Sequence, residues 1–231
     1  PSVEEVQVAA CREFGLAADL SGITKGYAVA DAFIGLGVKR IRVTGGEPLV
    51  RKDLSELIAQ LSPIGGIEDL TLTTNGYLLA EHAEGLKQAG LKRITVSLDS
   101  LDPEVYAQMN GRRFDPSRTL AGIAAAERVG ITPVKINAVV ERGVNDHTAL
   151  DLARHFKGSG HILRFIEFMD VGNLNAWDRS RVVPSAELVA LIDAGSPIEP
   201  VSPNYAGEVA ERWRYVDGSG EIGFISSVTQ P

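Results

Sequence analysis

From residue 39 onward the chain alternates between two spacings of apolar residues. Residues 39–44, 69–74, 93–98, 133–139 and 162–168 alternate apolar and polar side chains, as strands do. Between them, apolar residues three and four apart predict helices over about 53–61, 79–89, 102–109, 116–129 and 147–157. The punctuation agrees. Asp102-Pro103 opens one helix, Gly90 and Gly130 close two, and Asn145-Asp146 is expected to cap another. Ahead of this series, Ser2 is expected to cap a helix near Glu5–Phe14, and a second helix is expected from Tyr27 to Leu36, stopped at Gly37. Strand–helix units repeated at this spacing predict parallel βα units, arranged as an open sheet or a barrel. After Asp170 the pattern changes. Residues 172–178 read as a loop, 185–194 as a helix and 196–208 as irregular. Residues 211–217 and 221–228 read as a hairpin about Asp217-Gly-Ser-Gly220. This divides the chain into a 1–170 barrel and a 171–231 C-terminal extension packed on it.

The strands are unusual in what they alternate. Arg40, Arg42 and Thr44 share one parity of the first strand, and Ile41 and Val43 the other. Thr71, Thr73 and Asn75 share a parity of the second, Thr95, Ser97 and Asp99 of the third, and Lys135 and Asn137 of the fourth. The apolar parity must meet the helices, so the polar parity must line the interior. A buried surface of Arg, Lys, Asp, Thr and Asn is costly without a ligand. It suits a cavity for a polar anion, with Arg42 and Lys135 able to hold a polyphosphate. On parallel α/β sheets ligands gather at the carboxyl ends of strands, where Gly45–Pro48, Asn75, Asp99 and Met169 fall. Arg164 and Met169 have opposite parity, so a bulge or a strand end must lie between them if both reach one site. No GxGxxG follows the first strand.

Composition narrows the classes. The chain has 231 residues, 44% hydrophobic, with a net charge of −7. That is enough for one sizeable core, and the acidity argues against nucleic-acid or membrane-surface binding. No run of transmembrane length and no leader is read, and a cytoplasmic protein is expected. The only cysteine, Cys11, excludes an internal disulfide and a cysteine-rich metal site. His82, His147, His155 and His161 have no metal-ligand spacing, and Trp177 and Trp213 read as packing residues.

Several segments occur together in a recognisable order: Thr44-Gly-Gly-Glu-Pro-Leu-Val-Arg51, Thr73-Thr-Asn-Gly76, Ser97-Leu-Asp99, Lys135-Ile-Asn137 and Arg164-Phe-Ile-Glu-Phe-Met-Asp-Val-Gly172, with the tail Tyr205–Gln230. In these the chain resembles the radical S-adenosylmethionine (SAM) enzymes, and among them the molybdenum cofactor biosynthesis protein A family of GTP 3′,8-cyclases. The resemblance implies a partial (β/α) TIM-like barrel with a C-terminal extension. It implies SAM contacts at Gly46, Glu47, Ser97 and Met169. It implies GTP contacts at Arg42, Thr73 and Lys135, with Arg40 and Arg164 assisting at the triphosphate. In that family a 4Fe–4S cluster cleaves SAM, the adenosyl radical takes hydrogen from the ribose C3′, and C8 of guanine is attacked. Two 4Fe–4S clusters are expected of the family. Its CxxxCxxC motif is absent here, as are the cysteines expected beyond Ser227–Gln230. Clusters need thiolates, so the chain as written is expected to be inactive alone, with no catalytic or metal residue assignable. Either the cluster segments lie outside this sequence or the chain is a relative that has lost them. Three readings follow: a GTP cyclase of molybdopterin synthesis, another radical SAM activity, or a cluster-less nucleotide-binding remnant. The oligomeric state is open, a homodimer included.

Overall fold

The computed structural model describes residues 30–111, 114–169, 178–204 and 208–226. The helix expected near the start, Cys11, Gly172, Trp177, Tyr205 and Ser227–Gln230 lie outside these residues. Five βα units follow a short helical segment at 30–35. The strands are β1 Arg40–Val43, β2 Asp69–Thr74, β3 Arg93–Ser97, β4 Lys135–Val140 and β5 Ile162–Glu167. Helices α1 Leu54–Leu61 and α2 Leu79–Gln88 follow the first two. Helices α3 Pro103–Asn110 and α4 Pro116–Arg128 follow β3, and α5 Ala149–Phe156 follows β4. Then come α6 Ser185–Gly195, β6 Ile198–Val201, β7 Glu211–Tyr215 and β8 Glu221–Ile225.

One sheet holds all eight strands in the order β1-β2-β3-β4-β5-β8-β7-β6. Neighbours run parallel from β1 through β5 to β8, and β7 and β6 then run antiparallel. Among the described residues the sheet is open, with β1 and β6 as its edges. The division expected at residue 170 falls after β5, and the sheet continues across it through the β5–β8 pairing.

The apolar parity packs as expected. Leu70, Leu72, Ile94, Val96, Leu98, Val134, Ile136, Ala138, Leu163, Phe165, Ile222 and Phe224 are all buried in one core with Leu54, Ile58, Leu79 and Leu86 of the helices. Helix starts have identifiable causes. The Asp102 carboxylate accepts from Glu104 and Val105 N–H, and Asp115 from Ser117 N–H, each ahead of a proline at the first helical position. Trp213 packs edge-on to Phe224, in keeping with its expected role.

Three expectations change. Asn145 does not cap α5: its Oδ1 accepts from Glu141 N–H, and its Nδ2 donates to the Asp99 and Val139 carbonyls. A buried amide that satisfies three backbone groups is worth more there than at a helix end. Residues 196–208, expected to be irregular, contain β6. Its Pro200 is tolerated because β6 is an edge strand. The fourth strand begins at Lys135 rather than 133, since Pro133 has no N–H to give a ladder.

Gly122 lies where α4 crosses the end of β2. A Cβ there would sit 2.6 Å from the Gly76 carbonyl oxygen and 2.8 Å from Leu79 Cβ. Glycine in a helix interior ordinarily costs about 1 kcal/mol against alanine. Here the sign reverses, because the clash is with backbone. Gly122→Ala is expected to lower stability by about 2 kcal/mol, read as a lower urea midpoint. A stabilised variant would show that the α2–α4 crossing is looser than described.

Candidate functional site

The register places the polar parity on one face across the whole sheet. Arg42 pairs with Thr71, and Thr71 with Arg93. Thr73 pairs with Thr95, and Thr95 with Lys135. Ser97 pairs with Asn137, Asn137 with Arg164, Arg164 with Gly223, and Gly223 with Arg212. Directly paired residues point to the same side of a sheet. The face therefore brings together Arg42, Thr73, Ser97, Lys135 and Arg164, which the sequence had singled out. It adds Arg93, Glu208, Arg212, Glu221 and Gly223, which it had not. Hairpin arithmetic from the Asp217–Gly220 turn would have matched Arg214 with Glu221. The pairing of β8 to β5, which brings that hairpin to the face, has no counterpart in the sequence pattern.

The face has two ends. At the carboxyl ends of the strands lies the turn after β1. Gly45 and Gly46 are exposed, and a Cβ on either would meet nothing within 4 Å. Glu47 holds this turn in place. Its Oε1 accepts from Leu49 N–H at 2.9 Å and Thr74 Oγ1 at 2.6 Å, and its Oε2 from Asn75 N–H at 2.8 Å. So the acid locks the glycine turn to the end of β2. Asn75 is itself a turn residue, accepting from Tyr77 N–H while its carbonyl takes the Thr119 hydroxyl. Ser97 is half-buried at the end of β3. Met169 lies beyond the end of β5, 45% exposed, so the strand end accounts for its opposite parity to Arg164.

Asp99 stands just past β3. Its Oδ1 accepts from Val139 N–H at 2.8 Å. Burial pushes its carboxyl up to about 6, with that hydrogen bond opposing.

At the amino ends lies a small recess, partly open to solvent, lined by Lys135, Arg164, Glu208, Arg212, Glu221 and Gly223 among others. Burial lowers the Lys135 ammonium to about 8, helped by the charges of Arg164, Arg93 and Arg42 and opposed by Glu208. Neither Lys135 nor Arg42 has a hydrogen bond or ion pair among the described residues. Arg93 is paired with Asp69. The Arg212 guanidinium spans both oxygens of Glu221 and donates to the Ser202 carbonyl. Thr73 Oγ1 is buried with no hydrogen-bond partner among the described residues. Arg40 and Arg42 are both exposed on the edge strand β1, contrary to the interior position expected of them, because no strand among the described residues covers that side. Arg40 stands at the strand's start, away from the turn. A face with a destabilised ammonium, a nearby arginine and an orphaned hydroxyl is arranged to accept an anion. Among the described residues no His, Cys, Asp and Glu group could hold a metal ion.

The family model described as the Radical SAM superfamily matches residues 26–156, and that described as Molybdenum Cofactor Synthesis C matches 161–231. A GTP 3′,8-cyclase of Xanthomonas axonopodis pv. citri (strain 306) is 55% identical over 200 residues, 87% of this chain and 60% of that protein. One of Acidothermus cellulolyticus is 52% identical over 203 residues, 88% of this chain and 56% of that protein. The chain spans little more than half the length of these curated relatives. Among solved structures, a radical SAM methyltransferase from Sphaerobacter thermophilus is similar with a TM-score of 0.56 at 19% identity, covering 74% of this chain and 52% of that one. Streptococcus suis SuiB bound to S-adenosylmethionine gives 0.57 at 19%, covering 74% and 38%. The fold is therefore a partial (β/α) barrel of the TIM-like kind, as expected.

Asp99 gives a test of the electrostatics of the carboxyl end. A carboxyl raised in the folded state favours folding most when protonated. Its contribution is full below the unfolded value near 4 and is lost as pH rises through about 6. Asp99→Asn keeps an oxygen for Val139 N–H and removes the charge. It is expected to raise stability at pH 7.5 by up to about 2 kcal/mol, with the gain shrinking as pH falls toward 4. A gain independent of pH in thermal melts would show that Asp99 is not held against its charge.

Proposed function

We propose a function that proceeds from the family: the chain belongs to the radical SAM superfamily. Members of that family use SAM and an iron–sulfur cluster. The reading best supported is the barrel portion of a GTP 3′,8-cyclase, which converts GTP to 3′,8-cyclo-7,8-dihydro-GTP in molybdenum cofactor biosynthesis. The single observation that carries it is the cationic inner face, where Lys135 has its ammonium lowered to about 8 by burial and by Arg164, Arg93 and Arg42. Such a face is stabilised by a multiply charged anion, and a nucleoside triphosphate is one.

In this reading the nucleotide phosphates lie on Arg42, Lys135 and Thr73, with Arg40 and Arg164 assisting. Thr73 supplies the hydroxyl that has no partner among the described residues. SAM lies at the carboxyl ends, on Gly46, Ser97 and Met169, with Glu47 beside it. The open glycine turn fits a group that needs close approach to backbone. Glu47 acts first as the anchor of that turn, and a carboxylate has lone pairs left for an amine. Bound SAM would supply the adenosyl group from which the family makes its radical.

The described residues do not fit a 4Fe–4S cluster, because they contain no cysteine and clusters need thiolates. What these residues do is bind and orient. The second reading, a nucleotide-binding remnant without clusters, rests on that same absence of thiolates. The two part over iron. A longer form carrying the family cysteines is expected to turn brown on anaerobic reconstitution and to consume GTP and SAM together. If that form binds GTP but never cleaves SAM, the remnant stands.

The chain itself offers a direct measurement. The Lys135 ammonium is charged below about 8 and neutral above it. GTP affinity measured by calorimetry is expected to fall about tenfold between pH 7 and pH 9. Lys135→Met is expected to bind weakly at both pH values and to flatten the profile. Arg42→Ala is expected to cost about tenfold at both, since a guanidinium does not titrate there. No GTP binding at pH 7, or an unchanged profile in Lys135→Met, would remove Lys135 from the site.

A further inference from the structure

The geometry points to Gly223 as a positioning residue for Arg164, acting with Asn137 to set where that guanidinium stands on the anion-binding face. The inference rests on the reading of this face as a polyphosphate site.

A glycine in the middle of a strand weakens it and calls for a reason. The backbone provides none here, because Gly223 is absent from the glycines with positive φ. Its neighbours provide one. Gly223 pairs directly with Arg164 of β5 on one side and with Arg212 of β7 on the other. A Cβ at 223 would lie 3.1 Å from Arg164 Cγ and 3.6 Å from Cδ. The missing side chain is therefore the space that the arginine stem occupies. The head is fixed from the opposite side: Arg164 Nε donates to Asn137 Oδ1 at 2.9 Å, and Asn137 is the direct β4 partner of Arg164. Stem room on β8 and a head acceptor on β4 together select one placement of a side chain with many rotamers.

That placement matters because of the neighbouring charges. Arg212, on the far side of Gly223, is held by Glu221 and the Ser202 carbonyl. After burial, the Arg164 charge is what most disfavours the charged Lys135 ammonium. The Asn137 amide that holds Arg164 Nε carries no charge, so this contact orients the guanidinium without neutralising it. An alanine at 223 would push the stem by a few tenths of an ångström against a rigid strand and shift the guanidinium relative to Lys135.

A binding cycle tests this with GTP and with inorganic tripolyphosphate as probes. Gly223→Ala is expected to weaken both about five- to tenfold in the wild-type background. In an Arg164→Ala background the same change is expected to alter affinity less than twofold. Asn137→Ala, which adds no bulk, is expected to behave in the same way and serves if Gly223→Ala folds poorly. In the ligand-free protein, the Arg164 Nε–H resonance, identified by its loss in Arg164→Ala, is expected to exchange slowly. It should become fast-exchanging in Asn137→Ala and shift in Gly223→Ala. Equal losses of affinity with and without Arg164 would overturn the proposal and leave the polyphosphate site standing. A wild type that binds neither probe would overturn both.

Discussion

A strand has two faces, and in this sheet one of them must be dry. The helices cover Leu72, Val96, Ile136, Phe165 and Phe224, each fully buried or nearly so. With period two there is only one other direction for the remaining residues to point. The charged inner face is therefore forced by the packing of the outer one. Shifting β4 or β5 by one residue would put Lys135 or Arg164 under a helix at a large cost. The register that makes the core is the same register that makes the site.

Rigidity is concentrated where the sheet meets its loops. Glu47 ties the turn after β1 to the end of β2, and Asn145 joins the ends of β3 and β4. Glu167, buried at the end of β5, accepts from Ser185 N–H. Helix α6 follows Pro184, which has no side chain able to cap it, so the strand lends the acceptor. Each of these polar groups makes its hydrogen bonds within the chain. Lys135 and Arg42 are left with charge and without ion-pair partners among the described residues.

The sequence made much of this legible because the polar parity repeats over four strands, and repetition outweighs the ambiguity of any single one. Arg42, Thr73, Ser97 and Lys135 share a face as their spacing implied. What stayed illegible has specific causes. Ile198–Val201 contains Pro200, which argues against a strand until its edge position is known. Asn145 reads as a cap because caps are local, whereas its amide joins the ends of two strands. Gly223, Arg212 and Glu221 join the face only through a pairing of β8 with β5, across nearly sixty residues of sequence. No local pattern carries such a contact.

The β5–β8 pairing also has a consequence for how the molecule is made. The parallel wall receives its sixth strand only after α6, β6 and β7 have been synthesised. Until residues 221–225 leave the ribosome, the outer edge of β5 has open backbone donors and acceptors beside an arginine. An exposed parallel edge of that kind is what nascent chains aggregate through. The chain is therefore most exposed in the interval between the emergence of β5 and that of β8. It is at that stage that a chaperone or a pause in synthesis would act on it.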